Sequence, residues 1–211
     1  EIFQLFADEP LETGTVGWVG VGNMSYNVFV PYYPMYLTSS DDLYEAYQES
    51  AAVVTESEAK PEGAFVIRTA DDAPYVVYPE NWRDSYYFTF EGLGGYILNA
   101  EYITGSPVSE ADKEYAMNEI HELQYQINDM FAEMDPKDTV EVGKQMAQMA
   151  HEKGLELIDY LLAAAPSFMD VKTGDWFYSA VEYMVDNSLM GGTSDTTFSP
   201  YTTLTRGMVA Q

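Results

Sequence analysis

The spacing of apolar residues changes once along this chain, and that change limits the folds open to it. Before Asp84, short stretches such as residues 2–6 alternate apolar and polar side chains, which is typical of half-buried strands. After Asp84 the apolar residues recur with a period of about 3.6, which is typical of helices. The sequence therefore predicts an α+β fold in which short strands come first and helices follow.

The region before Asp84 contains several further short strand candidates. They share β-branched and aromatic residues, and they are residues 16–21, 26–30, 65–68 and 75–78. The loop 22–25 would close the first pair as a hairpin, and a turn at 71–74 would close the second. Between the pairs we expect a short helix at 41–49 and an exposed acidic loop at 50–63.

Three long helices are predicted after the change of period. Asp84 or Ser85 would cap the first, and Ser109 would open the second, which runs to about residue 134. The third covers roughly residues 139–165. A short connection joins the last two, so we expect an antiparallel helical hairpin with strongly acidic outer faces.

The last part of the chain, from Phe168 onward, has a pattern of its own. Asp175 is predicted to cap a helix that Gly191 and Gly192 end, and Thr203 or Thr205 would cap a second one. The apolar stripe of the first helix is expected to consist of Trp176, Phe177, Ala180, Val181 and Met184.

This segment resembles a surface-layer homology (SLH) motif of bacterial envelope proteins. The matching positions are Phe168, Asp170, Val171, Trp176, Ala180, Val181, Gly192, Phe198, Pro200, Thr205 and Arg206. The resemblance implies non-covalent attachment to a secondary polysaccharide of the Gram-positive cell wall, through the tryptophan and the Thr-Arg pair. Family members often carry an acidic residue after Thr-Arg, where this chain has Gly207 and Met208.

Three residues of this segment are the candidate glycan-binding positions. Trp176 can stack on a sugar, Arg206 can pair with an anionic substituent in bidentate fashion, and Asp170 is the third candidate. The alternative is that Trp176 is a core residue and Arg206 an exposed charge at a helix start. Phe198 is expected to be core.

Residues 1–165 resemble the C-terminal half of the cysteine dipeptidases, which are N-terminal-nucleophile hydrolases. The resemblance lies in E-I-F-Q-L, G-W-V-G-V-G-N, Y-N-V-F-V-P-Y-Y and W-R-D-S-Y-Y-F-T-F-E-G-L. It implies part of a layered α-β-β-α sandwich, with the helical hairpin as the family's late helical region. The family's nucleophile is a cysteine at the mature N-terminus. This chain has none, so the nucleophile would lie upstream and the chain alone would be inactive. Because the sequence opens directly on a strand-like stretch and ends in a predicted helix, both ends are expected to be cut from a longer polypeptide.

The hydrolase-like part offers only weak candidates for a substrate pocket. They are Tyr32, Tyr33 and Trp82. The aromatic and proline-rich segment 31–36 can line a pocket or seal the edge of a core, and the sequence leaves both open.

Several familiar site patterns are incomplete here. His121 and His151 each begin H-E-x-x-H without its second histidine, so they are expected to be solvated helix residues. The glycines at 17, 20 and 22 lack the third glycine of a nucleotide-binding G-x-G-x-x-G, because Ser25 stands there. No catalytic residue, metal or cofactor is therefore predicted within this chain.

Charge narrows the possible partners. The 211 residues contain 35 acidic and 9 basic side chains, a balance that repels nucleic acid and anionic lipid. No apolar run approaches the roughly 20 residues of a membrane span. We therefore expect an extracellular protein of the cell wall or surface layer, with a hydrolase-like domain at 1–165 and a truncated SLH motif at 166–211. Its partners would be wall polysaccharide, a peptide substrate and the upstream half of the hydrolase. The alternative is a non-catalytic envelope protein that only binds the wall.

Overall fold

The computed structural model describes residues 2–39, 44, 52–54, 64–70, 73–165, 168–172, 174–187, 189–194 and 197–203. Within them the chain is α+β, with small antiparallel sheets followed by helices, as predicted. The strands are β1 (Ile2–Leu5), β2 (Thr15–Val19), β3 (Val30–Tyr32), β4 (Ala52–Val54), β5 (Val66–Ile67) and β6 (Tyr75–Val77). The helices are α1 (Tyr86–Thr104), α2 (Glu110–Glu133), α3 (Thr139–Ala163) and α4 (Tyr178–Asp186).

The first sheet has the order β1-β2-β3, with both neighbouring pairs antiparallel. The predicted strand at 26–30 is wrong. Met24–Tyr26 forms a 3-10 turn instead, because the side chain of Asn23 accepts the backbone N–H of Ser25 at 3.0 Å. The third strand begins only at Val30.

Strand β1 lies at the edge of this sheet. It was predicted to be half-buried, but all its side chains are exposed, with Leu5 at 75%. In the described part of the chain β1 pairs with β2 alone, and the exposure of all four residues shows that no second layer covers its faces.

The second sheet has the order β4-β6-β5 and is also antiparallel. The pairing of β5 with β6 confirms the predicted strand pair. The predicted loop at 50–63 is wrong at Ala52–Val54, which is a strand paired with β6. The predicted helix at 41–49 falls almost wholly outside the described residues. The layered α-β-β-α arrangement stays a prediction.

Helix α1 is the centre of the large core. Ser85 caps it, as predicted, by accepting the N–H of Phe88 at 3.4 Å. Its residues are buried on nearly every side, because β5 and the turn at Met24–Tyr26 pack on it together with α3. Gly22 (φ +86°) lets the loop after β2 reach it, since a Cβ there would lie 2.7 Å from the backbone nitrogen of Glu91.

Helices α2 and α3 form the predicted antiparallel hairpin. Lys153 Nζ lies 2.9 Å from Glu119 Oε2, and the Tyr160 hydroxyl lies 2.6 Å from Asp112 Oδ1, so later residues of α3 meet earlier residues of α2. No helix in the described part of the chain is long and apolar enough to cross a membrane.

One of the two histidines is not solvated. His121 is exposed, as predicted, but His151 is buried. Its Nδ1 lies 3.3 Å from the Thr89 hydroxyl of α1. The prediction for His151 failed because its side of α3 faces α1, where a hydrogen-bonded polar side chain can be buried.

Helix α4 begins later and ends earlier than predicted. Asp175 does not cap it; its carboxylate accepts the N–H of Lys172 at 2.8 Å and closes a turn before the helix. The helix ends at Asp186 rather than at the glycines, with Asn187 at its C-cap. The second predicted helix falls largely in residues 204–211, which lie outside the described residues.

Candidate functional site

The terminal segment has a small apolar cluster of its own, built from a turn and one helix. Its buried members are Phe168, Val171, Phe177 and Val181, and Phe198 packs against them. Phe177 and Val181 are four residues apart and share one face of the helical segment. The predicted stripe is therefore correct at these two positions and wrong at Trp176 and Ala180, which are exposed.

Asp170 links the turn at Phe168–Val171 to the loop that contains Phe198 and Ser199. One carboxylate oxygen accepts the backbone N–H of Phe198 at 2.8 Å, and the other accepts that of Ser199 at 2.7 Å. Two charge-assisted hydrogen bonds to neighbouring amides fix the loop against the turn at Phe168–Val171. They also place Phe198 beside Phe168, with ring centroids 5.3 Å apart.

Trp176 stands out from this cluster into solvent. Its side chain is 88% exposed, although the adjacent Phe177 is 8% exposed. The two rings meet edge to face with centroids 5.4 Å apart, so Phe177 supports one edge of the indole. This exposure excludes the alternative in which Trp176 is a core residue.

The third candidate residue is not placed. Arg206 lies outside the described residues. The other two candidates each adjoin the small cluster, Trp176 through Phe177 and Asp170 through its hydrogen bond from Phe198.

Trp82 lines a cavity of about 190 Å³ together with residues of β5 and the ends of α1 and α3. Its ring stacks on Phe65 at 4.6 Å, and the neighbouring Arg83 and Tyr96 also face the cavity. Burial raises the pKa of Tyr96 to about 12, so this tyrosine stays protonated and uncharged at neutral pH.

Tyr32 and Tyr33 lie where β3 meets the start of α3. The hydroxyl of Tyr32 donates to the carbonyl of Gly143 at 3.4 Å, while Tyr33 stacks on Phe131 at 4.9 Å. Burial, and then the charge of Glu9, raise the pKa of Tyr33.

The three pocket candidates, Tyr32, Tyr33 and Trp82, do not line one pocket. Tyr32 contacts α3 at Gly143, whereas Arg83, next to Trp82, bonds Asp159 with Nη1 to Oδ2 at 3.2 Å. Sixteen residues of helix separate these two contacts, which corresponds to about 24 Å.

One exposed aromatic residue of the terminal segment was not anticipated. Tyr201 is 83% exposed and its ring approaches that of Phe177. It lies in a loop, where no hydrophobic period exists to show its environment, so its only signal in the sequence was an aromatic residue directly after Ser199-Pro200.

Comparison with protein families gives a match for the terminal segment. A family model of the S-layer homology domain matches residues 167–207. Comparisons with curated proteins and with solved structures gave no match. The family match agrees with the SLH resemblance, and the dipeptidase resemblance of residues 1–165 stays a prediction.

The match shows the location of this protein. S-layer homology domains bind cell-wall polysaccharide and are characteristic of extracellular proteins at the cell surface or in surface layers. The extracellular, cell-wall localisation is therefore confirmed, and the chain has the features of a surface-anchored protein that binds cell-wall polymers.

Proposed function

We propose that residues 166–211 attach this protein non-covalently to a secondary polysaccharide of the Gram-positive cell wall, with Trp176, Arg206 and Asp170 at the binding surface. The observation that carries the proposal is the exposure of Trp176, at 88%, inside the segment that matches the S-layer homology domain. An indole that serves packing is normally buried. An indole held in solvent by a buried neighbour is available to a ligand.

Stacking on a sugar suits this geometry. The aromatic face carries partial negative charge and attracts the weakly positive C–H groups on the face of a pyranose. Covering on the order of 100 Å² of indole surface would contribute about 2–3 kcal/mol before the costs of association.

Asp170 and Arg206 would serve the polar parts of the same ligand. A carboxylate has about four lone-pair sites, and Asp170 uses two of them on Phe198 and Ser199, so its remaining sites can accept sugar hydroxyls. Arg206 would pair with an anionic substituent. The net charge of −26 makes such a local cation necessary, because the rest of the surface repels an anionic polymer.

Co-sedimentation of the chain with purified cell-wall sacculi tests the proposal. The unmodified chain should pellet with intact sacculi and stay in solution with sacculi stripped of their secondary polysaccharide. Trp176→Ala and Arg206→Ala should each weaken binding about tenfold or more. Circular dichroism checks that both variants fold.

Tyr125→Ala is the matched control, because Tyr125 is 69% exposed on α2, far from the terminal segment in sequence. If Tyr125→Ala weakened pelleting as much as Trp176→Ala, binding would be a general property of exposed aromatic residues, and the proposed site would be wrong.

For residues 1–165 the finer proposal is the C-terminal part of a cysteine dipeptidase domain, which the wall-binding segment would hold at the cell surface. The resemblance supports it, and so does the helical hairpin of α2 and α3 that the resemblance implied. The reaction would be amide hydrolysis through a thioester on an upstream cysteine, because the chain contains no cysteine.

The coding sequence upstream of residue 1 tests this assignment. A cysteine that processing would expose as the N-terminal residue supports the dipeptidase. Repeated S-layer homology motifs without such a cysteine would instead establish the alternative, a non-catalytic envelope protein that binds the wall. The chain alone is expected to hydrolyse no dipeptide in either case.

A further inference from the structure

Two exposed aromatic rings contact the same buried phenylalanine in the terminal segment. The ring centroid of Phe177 lies 5.4 Å from that of Trp176 and 5.6 Å from that of Tyr201. Both outer rings are nearly perpendicular to Phe177, at 84° and 87°. Trp176 and Tyr201 remain 88% and 83% exposed, so Phe177 supports both of them and covers neither.

The position of Tyr201 is fixed by the backbone two residues earlier. Ser199 has φ +62°, a left-handed conformation that costs a residue with a side chain about 1–2 kcal/mol. Three contacts hold it there. Its N–H donates to Asp170 Oδ2 at 2.7 Å, its hydroxyl oxygen lies 2.7 Å from that of Thr193, and its carbonyl accepts the N–H of Thr202 at 2.9 Å.

Strain that neighbouring contacts maintain is typical of functional sites. Here the left-handed residue reverses the chain directly before Pro200 and Tyr201. The ring of Tyr201 is thereby brought to Phe177 without being buried. If Tyr201 served only to pack the small cluster, the segment would be more stable with its ring covering Phe177 than with the ring in solvent.

We propose that Tyr201 is a second sugar-contacting residue, and that it forms with Trp176 one aromatic surface for a saccharide of the wall polysaccharide. This inference rests on the proposed wall-binding function and extends it to a residue outside the motif positions. The ligand chemistry is a pyranose that presents an apolar C–H face to each ring. The phenol hydroxyl of Tyr201 can exchange hydrogen bonds with sugar hydroxyls or water.

The test compares Tyr201→Ala and Tyr201→Phe with the unmodified full chain in the sacculus assay, by titrating sacculi to obtain an apparent affinity. Tyr201→Ala should bind about fivefold more weakly, and Tyr201→Phe should bind within about twofold of the unmodified chain, because stacking needs the ring rather than the hydroxyl. Tyr183→Ala is the matched control. Tyr183 is also an exposed tyrosine, at 62%, but it lies on the side of α4 away from the buried Val181.

The outcomes separate this inference from the function on which it rests. If the unmodified chain binds and Tyr201→Ala binds equally well, the second sugar contact is wrong while wall binding stands. A loss in Tyr201→Phe as large as that in Tyr201→Ala would overturn the stacking role. If the unmodified chain does not distinguish intact from stripped sacculi, both proposals are overturned. An equal loss in Tyr183→Ala would show that exposed tyrosine in general, rather than this surface, determines binding.

Discussion

The residues up to 165 and the residues from 168 onward are held together by different kinds of contact. In the first region, α1 is buried against α3, β5 and the turn at Met24–Tyr26, and fully buried side chains such as Phe90 and Ile158 fill the space. In the second region the buried cluster is Phe168, Val171, Phe177 and Val181. In addition to this small core, the carboxylate of Asp170 stabilises the region by accepting hydrogen bonds from two backbone N–H groups.

The difference has a functional consequence. A large core gains stability from burying aromatic residues, so its aromatic rings are not available to a ligand. A small unit that is ordered by hydrogen bonds can leave Trp176 and Tyr201 in solvent. The wall-binding surface is proposed for the terminal region, where the exposed Trp176 lies inside the segment that matches the S-layer homology domain. The following variants test whether the two regions are as distinct as this comparison requires.

The largest effect is expected from Phe90→Ala. Phe90 is fully buried on α1, with its ring centroid 4.7 Å from that of Tyr86. Its removal should lower the free energy of unfolding by about 3–5 kcal/mol, because a cavity is left in a close-packed core. Denaturant unfolding measures this loss, and Leu98→Ala on the exposed side of the same helix should cost about 0.5 kcal/mol or less.

Hydrogen exchange of the same variant tests the comparison itself. Amides of α1 and α3 should exchange faster in Phe90→Ala, while those of 168–203 keep their rates. Equal acceleration in both regions would mean that they unfold as one unit, and the distinction drawn here would fail.

Gly105→Ala tests the contact between the two regions. Gly105 has φ +83° after α1, and a Cβ there would lie 2.6 Å from the carbonyl oxygen of Met169. The strained backbone and the displaced carbonyl together should lower the free energy of unfolding by about 2–3 kcal/mol. Thermal unfolding measures the cost, and Gly174→Ala is the control, because a Cβ at 174 meets nothing within 4 Å. If Gly105→Ala left the stability unchanged, the contact between Gly105 and Met169 would contribute little to holding the two regions together.

Asp170→Ala should act within the terminal region alone. Losing the two hydrogen bonds to Phe198 and Ser199 should destabilise the loop by about 2 kcal/mol, seen as faster exchange of those two amides. Asp175→Ala removes one bond, to Lys172, and should cost about half as much. Unchanged exchange at Phe198 and Ser199 would contradict the role assigned to Asp170.

The helices could be predicted from the sequence because their signals are local. Ser85 and Ser109 are capping residues with apolar periods after them, and α1 and α2 begin where those signals place them. The edge strand β1 was recognised from its alternation, but its exposure depends on whether another layer covers it, and no local pattern carries that information.

The candidate site was predictable only in part, for the same reason. Trp176 was identified through its motif, yet its spacing also fitted the apolar stripe of a helix. The buried face runs through Phe177 and Val181, and Trp176 and Ala180 lie outside it. His151 was misplaced because its burial depends on Thr89 of another helix. Tyr201 was missed because its environment is set by Ser199, whose left-handed backbone depends on contacts 29 residues away in sequence.

The last effect appears only at alkaline pH and belongs to the large core. Burial raises the pKa of Tyr96 to about 12, whereas a tyrosine of the unfolded chain titrates near 10. Between about pH 10 and 12 the unfolded chain therefore binds fewer protons than the folded chain. The stabilising contribution of Tyr96 is complete below about pH 10 and is lost as the pH rises toward 12.

Tyr96→Phe removes this titration, so its free energy of unfolding should fall less steeply between pH 10 and 12 than that of the unmodified chain, with little difference between their slopes below pH 9. Tyr86→Phe should also flatten the decline, since burial raises the pKa of Tyr86 as well, but it loses a 2.8 Å hydrogen bond to Val28 and should be less stable at every pH. Exchange rates followed over the same pH range, after correction for the intrinsic effect of pH, should rise in α1 before they rise in 168–203. The opposite order would place the alkali-sensitive groups in the terminal region and would contradict the contrast between a core that buries Tyr86 and Tyr96 and a terminal region that leaves Tyr201 exposed.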